Sequence, residues 1–290
     1  MKIYAKKKIL IICRDAGGAE LISSWLKFNK ISFSGIISGP AKNIFKQKKI
    51  KFKQRLFLKK AIKENQIIIA GTGWNYKEYF KSWKLAKKYK KIIISFIDHW
   101  KNYKLRFKFK KKYFFPHEIW VSDIYAKKKA KKIFTKSKIR LIKNHYLEQL
   151  RKNKTHYRKK NKIIIATNNL DAAKKILKEK IKISDEFFVL KSINFIKKKY
   201  DSTNIYLKIH PSEKRKKYIQ ILKKNNLTNI KMLKETDPIK FAKSCKMLIA
   251  CETNLLPVSK ALGIKTYNFF LEGKINRVVP RVYFDNYLRV

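Results

Sequence analysis

Nearly the whole chain alternates short, unbroken apolar runs with amphipathic stretches of helical period, and no other feature limits its fold so tightly. In the first half the runs are ILIIC (9–13), SGIIS (34–38), QIIIA (66–70), IIISFI (92–97), EIWVS (118–122) and IRLI (139–142). Between several of them lie AELISSWLKF (19–28), RLFLKKAIKEN (55–65) and IYAKKKAKKIF (124–134). Strands that are apolar on both faces, joined by helical crossovers, indicate a parallel sheet covered on each side.

The pattern breaks at KNHYLEQLRKNKTHYRKKNK (143–162), a polar, charged stretch with no sustained apolar stripe. It restarts with IIIAT (163–167), a helix over 185–200, NIYLKI (204–209), a helix over 214–226, IKML (230–233), a helix over 237–245, MLIAC (247–251), a helix over 253–263 and KTYNFF (265–270). Asp237-Pro238 supplies a cap and first-turn residue for one of these helices, and Gly263 a helix-ending glycine. At 290 residues two domains are expected. The reading is α/β, two doubly wound, Rossmann-like domains facing across a cleft: residues 1–150, a linker over 151–161, and 162–290. The terminal stretch EGKINRVVPRVYFDNYLRV is a candidate to cross back to the first domain.

The formal charge of +55 raises nucleic acid or an anionic membrane as partners. Of the 74 basic residues, however, 64 are Lys and 10 are Arg, and they are spread along the chain beside much Ile, Asn, Tyr and Phe. Arg is the side chain suited to bidentate phosphate and base-edge recognition, whereas Lys acts as a point charge. This composition is what an AT-rich genome encodes, and nucleic acid is disfavoured as a partner. An anionic inner-membrane face stays open, at about 1 kcal/mol per basic group held near it. Cys13, Cys245 and Cys251 lack zinc or disulfide spacing and read as small buried apolar residues. No run is long enough for a signal peptide or a span, so the expected location is cytoplasmic, peripheral on the membrane at most.

Open α/β sheets bind ligands beyond the carboxyl ends of their strands. After the first run comes CRDAGGAEL: Gly17 and Gly18 allow close backbone approach ahead of a helix, and Asp15 is either a helix cap or a general base. After the third, Gly71 and Thr72 form a flexible turn, either ligand-facing or merely fitting the crossover. After the fourth, Asp98, His99, Trp100 and Tyr103 mix polar and aromatic groups suited to a sugar, unless Trp100 simply anchors the loop. In the second half, His210 ends a strand and Pro211 fits the first position of the next helix, which sets the imidazole beside that helix's free amides; Lys208 adds charge on the same strand side. Glu252, Thr253 and Asn254 arrive at another helix start, Thr253 as cap, phosphate ligand or both. HExxH, Walker A, G-x-S-x-G, CxxC and GxGxxG are all absent, so neither a metal nor a cofactor is expected.

KIHPSE, followed about 40 residues on by CETNLLPVSKALGIKTYNF, resembles the C-terminal domain of GT-B glycosyltransferases. It is similar to bacterial sialyltransferases and polysialyltransferase-like proteins, with polyol-phosphate transferases nearby. DAGGAE, GPA, GTGW, DHWKNYKLRF and PHEIWVSDIYA resemble bacterial proteins of surface-polysaccharide or capsule assembly. The resemblance implies a nucleotide-sugar donor (CMP-, UDP- or GDP-linked) and a glycan or glycolipid acceptor. It implies His210, Pro211 and Thr253 at the donor phosphate, with Lys208, Glu252 and Asn254 beside them, and a carboxylate base for which Asp15 is best placed. One departure stands out: Glu252-Thr253 replaces the usual pair of hydroxyl residues, and a carboxylate beside a diphosphate is unhelpful unless it turns away. The alternatives are a sugar-nucleotide epimerase, a polyol-phosphate transferase, or a non-catalytic basic protein that binds RNA or lipid.

Overall fold

The computed structural model describes residues 4, 7–73, 77–154, 161–177, 183–200, 204–235, 237–273 and 277–289. The chain divides into two compact units between Tyr146 and Leu147.

The first unit runs β1 (Ile9–Cys13), α1 (Ala16–Asn29), β2 (Ser34–Ile37), α2 (Gly39–Gln47), β3 (Lys53–Gln54), α3 (Leu58–Glu64), β4 (Ile67–Ala70), α4 (Lys77–Lys88), β5 (Ile92–Phe96), a short hairpin β6 (Lys108–Phe109) and β7 (Lys112–Tyr113), β8 (Glu118–Val121), α5 (Ile124–Ile133) and β9 (Lys138–Leu141). Its main sheet is parallel throughout, in the order β3-β2-β1-β4-β5-β8-β9. The chain starts in the middle, works outward to one edge, then returns to build the other side; the reversal lies between β1 and β4. Every residue of β1 and β4 is buried, which explains why these strands are apolar without alternation. Against them α1 packs Ala19, Ile22, Trp25 and Leu26, and Trp25 meets Trp120 of β8 with ring centroids 4.7 Å apart. Each fully buried Ile contributes about 1.5–3 kcal/mol, so the alternation seen in the sequence is also the energetic basis of the fold.

Helix α6 (His145–Lys152) crosses the division, with Leu147 and Leu150 buried. Arg151 and Lys152, expected as the start of a linker, are therefore helical; two leucines three apart were enough to make an apolar stripe. Of the expected linker, residues 155–160 lie outside the described residues.

The second unit runs β10 (Lys162–Ala166), α7 (Leu170–Leu177), α8 (Asp185–Lys199), β11 (Asn204–Lys208), α9 (Arg215–Lys224), β12 (Lys231–Met232), α10 (Pro238–Ala242), β13 (Cys245–Ala250), α11 (Leu255–Ala261), β14 (Lys265–Phe270) and β15 (Asn286–Arg289). The sheet is again wholly parallel, ordered β12-β11-β10-β13-β14-β15, with its reversal between β10 and β13. Both units are thus doubly wound Rossmann-like domains. The terminal stretch does not leave this sheet: β15 pairs with β14 from Tyr267↔Asn286 to Phe270↔Arg289. Asp285 secures the entry by accepting from Thr266 N–H and Oγ1 at 2.8 and 2.9 Å.

All three cysteines are free and buried. Among the described residues, no helix is long and apolar enough to cross a membrane.

Three helix starts differ from the sequence reading. Helix α1 begins at Ala16, so Gly17 and Gly18 belong to its first turn, not to a loop before it. Pro211 is not a first-turn residue, because α9 begins at Arg215 with Lys214 at the cap. Residues 210–213 form a separate turn closed by Glu213 N–H to His210 O at 2.9 Å, which delays the helix. Helix α11 starts at Leu255 behind Asn254, two residues later than Thr253.

Candidate functional site

In an open α/β sheet the two strands flanking the reversal part at their carboxyl ends and leave a crevice, and ligands bind there. In the first unit that crevice lies between the residues after β1 and those after β4. Asp15 occupies the cap position of α1, yet its side chain makes no capping hydrogen bond. Instead it accepts from the Tyr79 hydroxyl at 3.2 Å, and that oxygen in turn accepts from Arg14 N–H at 2.9 Å. A Cβ on Gly73 would stand 1.8 Å from Asp15 Oδ2, so the backbone after β4 lies directly against the carboxylate. Asp98, after β5, is equally close to α1: a Cβ on Gly17 would stand 2.0 Å from its Oδ2. Glycine at 17 and 73 is therefore what lets these carboxylates approach main chain.

The two carboxylates are treated differently. Arg106, buried, donates to Asp98 Oδ1 at 2.7 Å, to Thr72 O at 2.7 Å and Thr72 Oγ1 at 3.1 Å, and to Lys101 O at 3.1 Å. Among the described residues, Asp15 has no such ion pair. Burial and the neighbouring Asp98 charge push its carboxyl above the usual range, against the smaller pull of the Tyr79 hydrogen bond and of Arg14 and Arg106. A carboxylate with raised proton affinity is a better base than an ordinary one.

Several residues expected to face a ligand or sugar at this rim are taken up by the fold. Trp100 is 7% exposed and its indole N–H donates to Asp123 Oδ2 at 2.9 Å. Tyr103 is 2% exposed and stacks on Phe134. Neither ring presents a face for a sugar; both hold the loop down because the β5–β8 crossover has a 3₁₀ turn and hairpin where a helix is usual. Thr72 is buried, its hydroxyl donating to Phe96 O at 3.1 Å while accepting from Arg106. Gly71 lies against the Tyr79 hydroxyl and Gly18 against Gly71. His99 is half-buried and its Nδ1 accepts from Lys101 N–H. Two cavities of this unit, about 440 Å³ beside Phe115 and Phe134 and about 230 Å³ beside Lys30 and Lys49, are lined by none of these residues.

In the second unit the crevice is bounded by the ends of β10 and β13, and His210 leaves β11 one strand further along. The sequence reading of this rim missed Thr167 and Asn168, although the rule that singled out the others, polar residues straight after an apolar run, selects them too. Thr167 Oγ1 accepts from His210 N–H at 2.9 Å and donates to Glu213 Oε2 at 2.5 Å. Glu213 Oε1 accepts from the Tyr218 hydroxyl at 2.5 Å, and its side chain is 1% exposed. Asn168 Nδ2 donates to Cys251 O at 3.0 Å, tying the β10 loop to the segment that precedes Thr253.

His210 is half-buried. Its Nδ1 accepts from Ser212 N–H at 3.2 Å and lies 2.7 Å from Ser212 Oγ. An accepting Nδ1 leaves the proton of the neutral ring on Nε2. Burial lowers the ring's pKa, and Lys208 lowers it further, outweighing the opposing charge of Glu213. Burial likewise lowers Lys208 itself, against Glu235. The result is a neutral imidazole with its main chain fixed and an Nε2–H donor. Thr253 is half-buried, with Oγ1 3.4 Å from Leu255 N–H, and Asn254 occupies the cap position of α11 without a side-chain capping hydrogen bond. His210 and Thr253 leave the same edge of one sheet, two strands apart, or about 9–10 Å across the ladder.

Glu252 does not face a donor. It is 1% exposed, in the left-handed region at φ +49°, and its carboxylate accepts from Asn268 Nδ2 at 2.5 Å and from Val278 and Val279 N–H at 2.6 and 2.7 Å. Asn268 Oδ1 accepts from Glu252 N–H in return. The carboxylate that was out of place beside a diphosphate is thus a structural tie. Among the described residues, no three His, Cys, Asp or Glu side chains gather as metal ligands do.

No family model matches this chain, and no curated protein matches it. Solved structures do. UDP-N-acetylglucosamine 2-epimerase from Rickettsia bellii is similar over 90% of this chain and 78% of its own, with a TM-score of 0.56 at 11% identity. The wall teichoic acid polymerase TagF is similar over 93% of this chain and 72% of its own, with a TM-score of 0.50 at 12% identity. Heptosyltransferase WaaC from E. coli, solved with ADP-2-deoxy-2-fluoro heptose, aligns over 98% and 92% with a TM-score of 0.48. At such identities the likeness to the epimerase and to TagF establishes the fold alone, two Rossmann-like domains of the GT-B type. It lends nothing to sialyltransferases in particular.

Proposed function

We propose that the chain is a nucleotide-sugar glycosyltransferase, its donor a CMP-, UDP- or GDP-linked sugar and its acceptor a surface glycan or glycolipid. The observation that carries the reading is the His210 turn: a neutral imidazole, its main chain bonded to Thr167 and its Nδ1 occupied by Ser212, leaves one Nε2–H donor at a strand end where this fold class binds ligands. Such a donor suits the phosphate oxygen of a departing nucleotide, with Thr253 Oγ1 and the side chain of Lys208 as further partners. Asp15, raised in proton affinity, takes the acceptor hydroxyl proton as that oxygen bonds to the anomeric carbon and the bond from carbon to phosphate oxygen breaks. No step in this scheme calls for a metal.

The test is thermal: CMP, UDP, GDP and CDP compounds are screened for a rise in melting temperature, first with the wild-type chain and then with His210→Ala. One nucleotide class is expected to stabilise the wild type, and His210→Ala to lose most of the shift at an unchanged ligand-free melting temperature. A shift that survives intact in His210→Ala removes the histidine from the donor site. A second reading, a sugar-nucleotide epimerase, has the likeness to UDP-N-acetylglucosamine 2-epimerase in its favour. It requires no acceptor, so turnover of a nucleotide sugar to its epimer without added acceptor decides for it.

A further inference from the structure

Leu56 and Phe57, 81% and 73% exposed, are the most exposed large apolar side chains among the described residues. They form the turn between β3 and α3. A residue just before a helix cap often folds back onto the helix's first turns as a hydrophobic staple; Leu56 precedes the cap residue Phe57 and does not. The turn is nevertheless well defined at both ends: Arg55 N–H donates to Gly35 O at 2.8 Å, extending the sheet, and Ala61 N–H to Phe57 O at 2.9 Å opens the helix. Lys51, Lys53, Lys59 and Lys60 flank it in sequence and are all exposed. Between Glu20 and Glu78 the sequence has one carboxylate, Glu64, and it pairs with Arg55.

We propose that this turn docks the first unit on an anionic lipid bilayer, with Leu56 and Phe57 entering the acyl boundary and the four lysines at the headgroups. Two adjacent apolar side chains that stand largely clear of their own protein, flanked in sequence by exposed lysines on long stems, match the layering of an interface: hydrocarbon below, anionic groups above. A second copy of the chain is a poor occupant, since +55 meeting +55 through a lysine-flanked patch is repulsive. RNA is a poor one too, because the exposed basic groups beside the turn are all Lys, and its one arginine, Arg55, is held by Glu64. The turn leaves the carboxyl edge of the sheet at β3, two strands from β1 and Asp15, about 9–10 Å across the ladder. Only one consequence rests on the proposed function: docking there brings a lipid-borne acceptor to the Asp15 rim.

The test is co-sedimentation of the full chain with vesicles of phosphatidylcholine alone or mixed with phosphatidylglycerol. The wild type is expected to sediment with the mixed vesicles. Leu56→Ser/Phe57→Ser, which leaves the charge unchanged, is expected to bind about tenfold more weakly. Lys216→Gln/Lys223→Gln, exposed lysines of the second unit, is expected to bind as the wild type does. Absence of binding, equal loss in both variants, or no loss in the serine variant overturns the proposal, as does a polyanionic RNA whose binding the serine variant loses in its place. Phe57→Cys carrying an environment-sensitive dye gives a second readout, since the native cysteines are buried; a blue shift on mixed vesicles supports insertion and an unchanged spectrum counts against it. None of these measurements involves turnover, so docking fails or stands apart from glycosyl transfer, which is assayed with a water-soluble acceptor.

Discussion

At the edge of the first sheet the main chain comes to the carboxylates: Gly73 leaves room for Asp15 and Gly17 for Asp98, and a buried arginine neutralises one carboxylate while the other is left with a hydroxyl. At the edge of the second sheet the side chains come to the main chain, with Thr167 and Glu213 holding the backbone of the His210 turn. The first arrangement raises the proton affinity of an acid, and the second lowers that of a base. Both widen the pH range over which the group stays uncharged, upward for Asp15 and downward for His210. One fold thus shifts an acid and a base in opposite directions by the same first cause, burial that disfavours the charged form.

The largest effects test that division directly. Asp15→Asn should lower kcat by about 10²–10⁴ with the donor-induced thermal shift unchanged, because a base acts on the acceptor alone. His210→Ala should lower turnover by about 10²–10³ and weaken donor binding as well. If both substitutions affect donor binding alike, the two rims are not specialised. EDTA should leave turnover untouched, measured after exhaustive dialysis; loss restored by a divalent ion contradicts a scheme in which side chains alone meet the leaving-group charge.

Next in size are the two buried charges behind the rims. Arg106→Met removes the buried guanidinium that pairs with Asp98, and Glu252→Ala leaves Asn268 and two main-chain amides unpaired. Each should cost about 3–5 kcal/mol in urea denaturation. They should differ in reach: Arg106→Met also removes a charge that lowers the Asp15 carboxyl, so the pH at which turnover rises should move upward in this variant alone.

How far the sequence foretells this depends on what each feature is made of. Strands β1, β4, β10 and β13 are legible because burial on both faces permits only apolar residues. Strands β3 and β15 are not: Lys53-Gln54 is an exposed edge pair and NYLR alternates weakly, so their pairing follows from the sheet and not from their composition. Asp15 and His210 are legible as polar residues at strand ends, but their environments are not. Tyr79 is 64 residues from Asp15, and Thr167 is 43 from His210; no local pattern joins them. Glu252 shows the reverse: its position after β13 suggests a place beside the donor phosphate, and only the tertiary return of Val278 and Val279 makes it a tie. Trp100 and Tyr103 fail for a related reason, since an aromatic at a loop is equally a sugar platform and an anchor until the helix it packs on is known.

The smallest effect is the most diagnostic, because its sign differs between the rims. The folded His210 pKa lies below 6.5, so as pH falls through 6.5 the unfolded chain takes up a proton first; this stability is full above 6.5 and is lost on acidification toward the folded pKa. The folded Asp15 pKa lies above 3.8, so the folded chain holds its proton longer; this contribution is full below 3.8 and is lost as pH rises through the folded pKa. At neutral pH, then, ionised Asp15 is a burden on the fold. Asp15→Asn, which can still accept from Tyr79, should raise the melting temperature by roughly 2–4 °C for relief of about 1 kcal/mol, and the gain should vanish in acid. His210→Gln should show no gain at neutral pH, where the ring is already neutral, and should flatten the loss on acidification. A variant at Asp15 that is both inactive and more stable is what a base held in an unfavourable environment predicts. If Asp15→Asn is destabilising at neutral pH, the carboxylate serves the fold, and the contrast between the two rims is lost.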